Sequence, residues 1–211
     1  METSKHLRNT CALIAFCLLG IKFNAQVQAE SDLLKLAVES NHSTILFSVP
    51  ISNGITRITG NFSDYAIDID YVDNDLAKSN VTVTIQSTSI DTGIDGRDEH
   101  LRTSDFFDIA NYPEIKFESN IIQKTNIGYV AVGDFTMHGI TKPMEIPIQI
   151  TGRDGTYTFG FSSRFSIKRS DFDLGTEFKH TSIENFLGDE ISVEVDFWTK
   201  KRKEKKKTSE E

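Results

Sequence analysis

The stretch NVTVTIQSTSI (residues 80–90) sets Val81, Val83 and Ile85 on one parity and Thr82, Thr84 and Gln86 on the other. Successive side chains of an extended chain point to opposite faces, so this is a strand with one dry and one wet side. The same period of two recurs along the chain. In TILFSVP (44–50) it selects Ile45, Phe47 and Val49, and in YAIDIDYV (65–72) Ile67, Ile69 and Tyr71. In PMEIPIQI (143–150) it selects Met144, Ile146, Ile148 and Ile150; in TYTFGFSSRFSI (156–167), Tyr157, Phe159, Phe161, Phe165 and Ile167. In EISVEVDFW (190–198) it selects Ile191, Val193, Val195 and Phe197. Turn-forming clusters separate the runs: SNG (52–54), VDNDLAKSN (72–80), TNIG (125–128), HGITKP (138–143) and GRDGT (152–156). Alternation with short connections means antiparallel strands, and eight or more of them form a closed barrel or a sandwich. Pro147 falls on the wet parity of its run, a placement suited to an edge or a bulge rather than a central pairing.

The first 29 residues read as a cleaved signal peptide. Lys5, His6 and Arg8 give a basic start, CALIAFCLLGI (11–21) is too short to span a bilayer, and Val27 and Ala29 stand at the small-residue positions of a cleavage site. The implied product is exported from the cytoplasm. Cys11 and Cys17 are the chain's two cysteines. Both lie in the leader, which leaves residues 30–211 without a disulfide, a thiolate nucleophile or a cysteine metal site. Residues 30–199 carry 13 basic and 27 acidic residues, a balance that opposes nucleic-acid binding. KKRKEKKKTSEE (200–211) has no apolar residue and reads as a disordered basic tail. It serves as a solubilising end or as a peripheral contact to anionic lipid or an acidic partner.

Motifs for chemistry are missing. His42 and Ser43 are strand neighbours pointing to opposite faces, which is no nucleophile–base pair. There is no G-x-S-x-G elbow, no H-E-x-x-H, no Walker loop and no G-x-G-x-x-G. DIDYVDNDLAKSN (68–80) lacks the glycine and terminal glutamate of a calcium loop. We therefore expect no cofactor, no metal and no catalytic residue. The 15 phenylalanines are the conspicuous feature, and at least nine of them fall on or beside apolar parity. A barrel of about eight strands fills with side chains or leaves room for one apolar ligand, and bulky aromatics serve either arrangement.

One segment breaks the alternation. RDEHLRTSDFFDIANYPEIKFES (97–119) holds a short amphipathic stretch, with Ser104 placed to cap a second turn at Asp105. Tyr112-Pro113 then ends any helix, and alternation resumes at Ile115 and Phe117.

Taken with HSTILFSV (42–49), GNF (60–62), GDFTMHGITKPMEIPI (133–148) and FSIKRSDFDLG (165–175), this segment resembles the YceI-like, polyisoprenoid-binding proteins of bacterial envelopes. The likeness runs from about residue 33 to 199; Pro50-Ile51 and the basic tail depart from it. It implies one all-β domain over 30–199: an extended, antiparallel, lipocalin-like barrel of about eight strands with one or two short helices in the connections. It further implies non-enzymatic binding of an isoprenoid lipid, such as a quinone or a prenyl phosphate, inside the barrel. The expected ligand-binding residues are Phe47, Val49, Phe62, Ile69, Phe106, Phe107, Phe117, Phe135, Met137, Phe159, Phe161, Phe165 and Phe172, with His100 and Arg169. Phe106 and Phe107 supply wall or lid. Arg97, His100, Asp105 and Asp108 anchor the segment or meet a head group, with Arg169 and Asp171 as their partners. Two rival readings are an enzyme of envelope stress or lipid metabolism using His100 or His138, and a filled barrel that recruits partners. Exposed strand edges leave a homodimer open.

Overall fold

The computed structural model describes residues 31–203. The expected leader and residues 204–211 of the tail lie outside these. The alternating runs form eleven strands: β1 (Leu33–Val38), β2 (Thr44–Ile51), β3 (Thr56–Phe62), β4 (Tyr65–Val72), β5 (Asp75–Gln86), β6 (Ile90–Asp91), β7 (Glu114–Thr125), β8 (Gly128–Met137), β9 (Ile140–Asp154), β10 (Thr158–Lys168) and β11 (Glu190–Lys201). The single α-helix of the described residues, α1 (Asp95–Leu101), lies between β6 and β7.

Every pairing is antiparallel. The order β1-β4-β5-β7-β8-β9-β10-β11 closes on itself where Leu36, Ala37 and Val38 pair with Lys201, Lys200 and Thr199. β11 also pairs with β2, from Ser192↔Ser48 to Asp196↔Thr44, and β2 is followed outward by β3 and β6. Short breaks at 39–43 and 63–64 separate β1 from β2 and β3 from β4, so each pair continues one long bent strand. The result is a closed eight-stranded barrel. Closure removes most of the exposed edge that an open sheet would present.

Close strand contact dictates one glycine. A Cβ at Gly133 would lie 2.1 Å from the carbonyl oxygen of Glu118 on β7, beside the bulge at 119–121. Charged residues of the expected tail take part in the barrel. β11 runs to Lys201, and Arg202 donates to Asp70 at 2.8 Å and pairs with Asp68 at 2.8 Å. The ordered domain thus extends past the expected boundary at 199.

The connections sort to two ends. The turns at 72–75, 125–128 and 154–158 lie at one end, with the β1–β11 closure. The turns at 51–56 and 137–140, the crossover 87–113 and the long loop 169–189 lie at the other, which is the capped end.

Candidate functional site

Inward-facing side chains make two different interiors along one barrel axis. Towards the β1–β11 closure, Leu36, Ile69, Leu76, Ile122, Phe159 and Phe161 are all within 2% of complete burial. Phe159 packs against Tyr71 (ring centroids 4.8 Å apart) and Phe161 (6.2 Å), with the Arg153 guanidinium 4.6 Å from its ring centre. Phe161 in turn stacks on Phe197 at 5.0 Å. Burial raises the Tyr71 phenol above its ordinary pKa. Thr199, a buried polar residue here, accepts the Phe159 N–H (3.1 Å) and donates to the Tyr157 carbonyl (2.7 Å). This half is a solid plug.

Towards the capped end the same inward parity encloses space. A cavity of about 250 Å³ is walled by Ile45, Phe47 and Val49 of β2, Ile58 and Phe62 of β3, Val83 and Ile85 of β5, and Ile115 and Phe117 of β7. Phe135 and Met137 of β8, Ile146 and Ile148 of β9, Ser163, Phe165 and Ile167 of β10, and Ile191, Val193, Val195 and Phe197 of β11 complete the circuit. Phe47, Phe165, Val193 and Val195 are only half-buried, because they face the void.

The cap is the crossover segment itself. Asp98 is 5% exposed; its carboxylate accepts the Thr92 N–H at 3.0 and 3.2 Å and also the Thr92 hydroxyl. Arg97 donates to that hydroxyl oxygen (2.7 Å) and to the Thr92 carbonyl (2.8 Å), so a buried charge and its neighbour are held through one threonine. Arg102 ties the end of α1 to the carbonyls of Thr88 (2.9 Å) and Ile90 (2.7 Å). The helix stops there. Thr103, not Ser104, accepts the Asp105 N–H (3.4 Å), and the chain turns through Asp108 in the left-handed region (φ 44°) to place Phe106 and Phe107 over the cavity.

The long loop after β10 covers the rest. Arg169 donates to the carbonyls of Gly188 (3.0 Å), Leu174 (3.1 Å), Gly175 (2.8 Å) and Leu187 (3.5 Å), fastening the loop to itself. Asp189 accepts the N–H (2.9 Å) and hydroxyl (2.8 Å) of Ser170. Partial burial works against its charge, but those bonds and the nearby Arg169 and Lys168 outweigh it and hold its carboxyl below the usual range. The Gly175 position (φ 61°) lies so close to Phe106 that a Cβ would sit 2.4 Å from its ring. His100 stands edge-on to Phe106 (5.2 Å) and Phe178 (5.8 Å) and pairs with Asp105 at 2.9 Å. The polar residues of the lining are Arg97, His100 and Arg169, at the cap, and Ser163 in the wall.

Residues 36–198 match the YceI-like domain family. The chain belongs to that family. It is 31% identical to a UPF0312 protein of Yersinia pestis over 169 residues, covering 78% of this chain and 87% of the relative. Among solved structures it superposes on Burkholderia cenocepacia BcnA with a TM-score of 0.68 at 24% identity, covering 76% of this chain and 98% of the other. It superposes on a polyisoprenoid binding domain from Saccharophagus degradans with a TM-score of 0.64 at 16% identity, covering 80% and 99%. Likeness at these identities carries the fold.

Within this YceI-like barrel, eleven of the fifteen expected ligand-binding residues line the cavity: Phe47, Val49, Phe62, His100, Phe106, Phe107, Phe117, Phe135, Met137, Phe165 and Arg169. Four do not. Ile69, Phe159 and Phe161 share the inward parity but lie at the level of the plug. Phe172 packs on Phe135 (5.3 Å) outside the cavity, where its carbonyl oxygen meets His138 Nδ1 at 3.1 Å. The expected anchoring partners also differ. Asp171 pairs with Lys142 (2.8 Å) and Arg169 with backbone carbonyls, while Asp108 accepts from Asn111 (2.8 Å). His138 sits in the β8–β9 turn and is not part of the lining. Phe178, Phe186 and Leu187 of the long loop line the cavity without having been anticipated, since no periodicity marks them.

Proposed function

We propose that this protein binds an isoprenoid lipid, such as a quinone or a prenyl phosphate, in the hollow half of its barrel. It acts as a carrier or sequestering protein of the periplasm rather than as an enzyme. The cavity carries this reading: its walls are apolar, and it is polar only at the cap and at Ser163. An apolar chain fits the walls, and a head group fits the end bearing Arg97, His100 and Arg169. Burying roughly 400 Å² of chain at about 25 cal/mol per Å² supplies on the order of 10 kcal/mol before association costs. The polyisoprenoid binding domain that shares this fold supports the same ligand class. The imidazole of His100 is braced by Asp105 and flanked by phenylalanines, with no hydroxyl bonded to it among the described residues, an arrangement suited to holding the cap.

The test is a titration with decylubiquinone and with geranylgeranyl diphosphate, using the native protein and a Val193→Trp variant. Val193 faces the void, so an indole there obstructs the cavity without displacing packed atoms. Binding of at least one probe by the native protein and its loss in the folded variant is expected. Undiminished binding by Val193→Trp places the ligand elsewhere and overturns the reading.

A further inference from the structure

The barrel wall is interrupted by a slot. The β9–β10 ladder runs from Asp154↔Thr158 to Gln149↔Ser162 and stops, although β9 continues back to Ile140 and β10 forward to Lys168. Each strand stays paired on its other side, β9 with β8 through Met137↔Ile140 and β10 with β11 through Lys168↔Glu190.

The chain itself prevents closure. The carbonyl of Pro147 accepts the Ser163 hydroxyl across the gap (2.6 Å), which shows that the backbone groups of Pro147 point towards β10. Backbone direction alternates along a strand, so Thr141, Pro143, Glu145 and Pro147 form the β10-facing edge. Two of the four are prolines and offer no N–H. The unpaired stretch from Pro143 to Pro147 spans roughly 14 Å at about 3.4 Å per residue. A hollow between the strands has Met144, Ile167 and Phe172 as its apolar lining and Lys142, Ser166, Lys168, Asp171 and Glu190 as its polar rim, and Ile167 also lines the main cavity. The slot is bounded below by the Ser163–Pro147 bond. Above, it is bounded by the Lys142–Asp171 pair (2.8 Å) and the His138–Phe172 contact (3.1 Å).

The two ends of the cavity are fastened. The plug closes one end, and Arg97, Arg102 and Arg169 hold the cap by bonds to backbone carbonyls. Across the slot no ladder joins the strands, and flexible Met144 stands in it among charged Lys142, Lys168, Asp171 and Glu190. We propose that this slot is the lateral portal through which the apolar chain of the ligand is loaded, kept unzipped by Pro143 and Pro147. The inference rests on the proposed lipid binding and adds the route.

Continuing the register from Gln149↔Ser162 sets Glu145 opposite Ser166, both exposed. The test joins Glu145→Cys to Ser166→Cys with a short bis-maleimide, in a chain carrying Cys11→Ser and Cys17→Ser. Uptake of decylubiquinone is followed by quenching of the protein's aromatic fluorescence. Linking is expected to slow association at least about tenfold, and protein linked after loading is expected to retain its probe equally longer. A Pro143→Thr/Pro147→Thr variant, which returns two N–H groups to the edge, is expected to slow uptake without linker. Equal uptake rates before and after linking, or a proline variant that loads at the native rate, overturn the portal. A native protein that does not quench at all overturns the lipid-binding reading instead.

Discussion

Two phenylalanine truncations on the same strand separate a hollow barrel from a filled one. Phe159 and Phe165 both point inward from β10, six residues apart. Phe159 is 2% exposed and is enclosed by Tyr71, Phe161 and Arg153. Phe159→Ala removes a ring from a packed site that cannot collapse, which costs about 3–5 kcal/mol. For a domain of this size that lowers Tm by about 6–20 °C. Phe165 is half-buried because one side of its ring faces the cavity. Those ring atoms have no partners to lose, so Phe165→Ala is expected to cost only about 1–2 kcal/mol. Urea unfolding of both variants with lipid-stripped protein measures the difference, provided the m-values match. Equal costs within error mean that the upper half is packed in solution, and the cavity argument falls.

Three further outcomes follow from individual contacts. Asp98→Ala leaves the half-buried Thr92 N–H and hydroxyl without an acceptor. It is expected to cost about 1–3 kcal/mol and to speed amide exchange across α1, read by hydrogen–deuterium exchange. Gly175→Ala puts a methyl against Phe106 and a non-glycine residue at φ 61°; a loss of about 1–2 kcal/mol with weaker probe binding is expected. The pKa of Tyr71 is raised by burial, so its stabilising contribution is complete below the unfolded value of 10.0 and is lost as pH climbs through the higher folded value. Alkaline titration is expected to loosen the plug above pH 10, and Tyr71→Phe to blunt that loss.

Strand content was legible because its cause is local. Val81, Val83 and Ile85 had to share a face whatever their neighbours did. Height along the barrel is not local. Phe159 and Phe165 show the same parity, and only the register of β11 against β1, β2 and β10 sets one in the plug and the other on the void. This is why Ile69, Phe159 and Phe161 were expected in the cavity. Pro147 was expected at an edge or a bulge, but it pairs with Val130 in the β8–β9 ladder. Its strand is central in the ring order, and the proline falls where the ladder to β10 has come undone. The loop residues Phe178, Phe186 and Leu187 carry no period, and the bonds from Arg169 that order their loop go to carbonyls, which no residue pattern announces.

The most direct measurement is on the protein as purified without detergent. Native mass spectrometry, followed by solvent extraction and lipid identification, is expected to find one apolar isoprenoid per barrel, and none in Val193→Trp. A lipid-free native protein that also fails to take up quinone or prenyl phosphate would contradict the account.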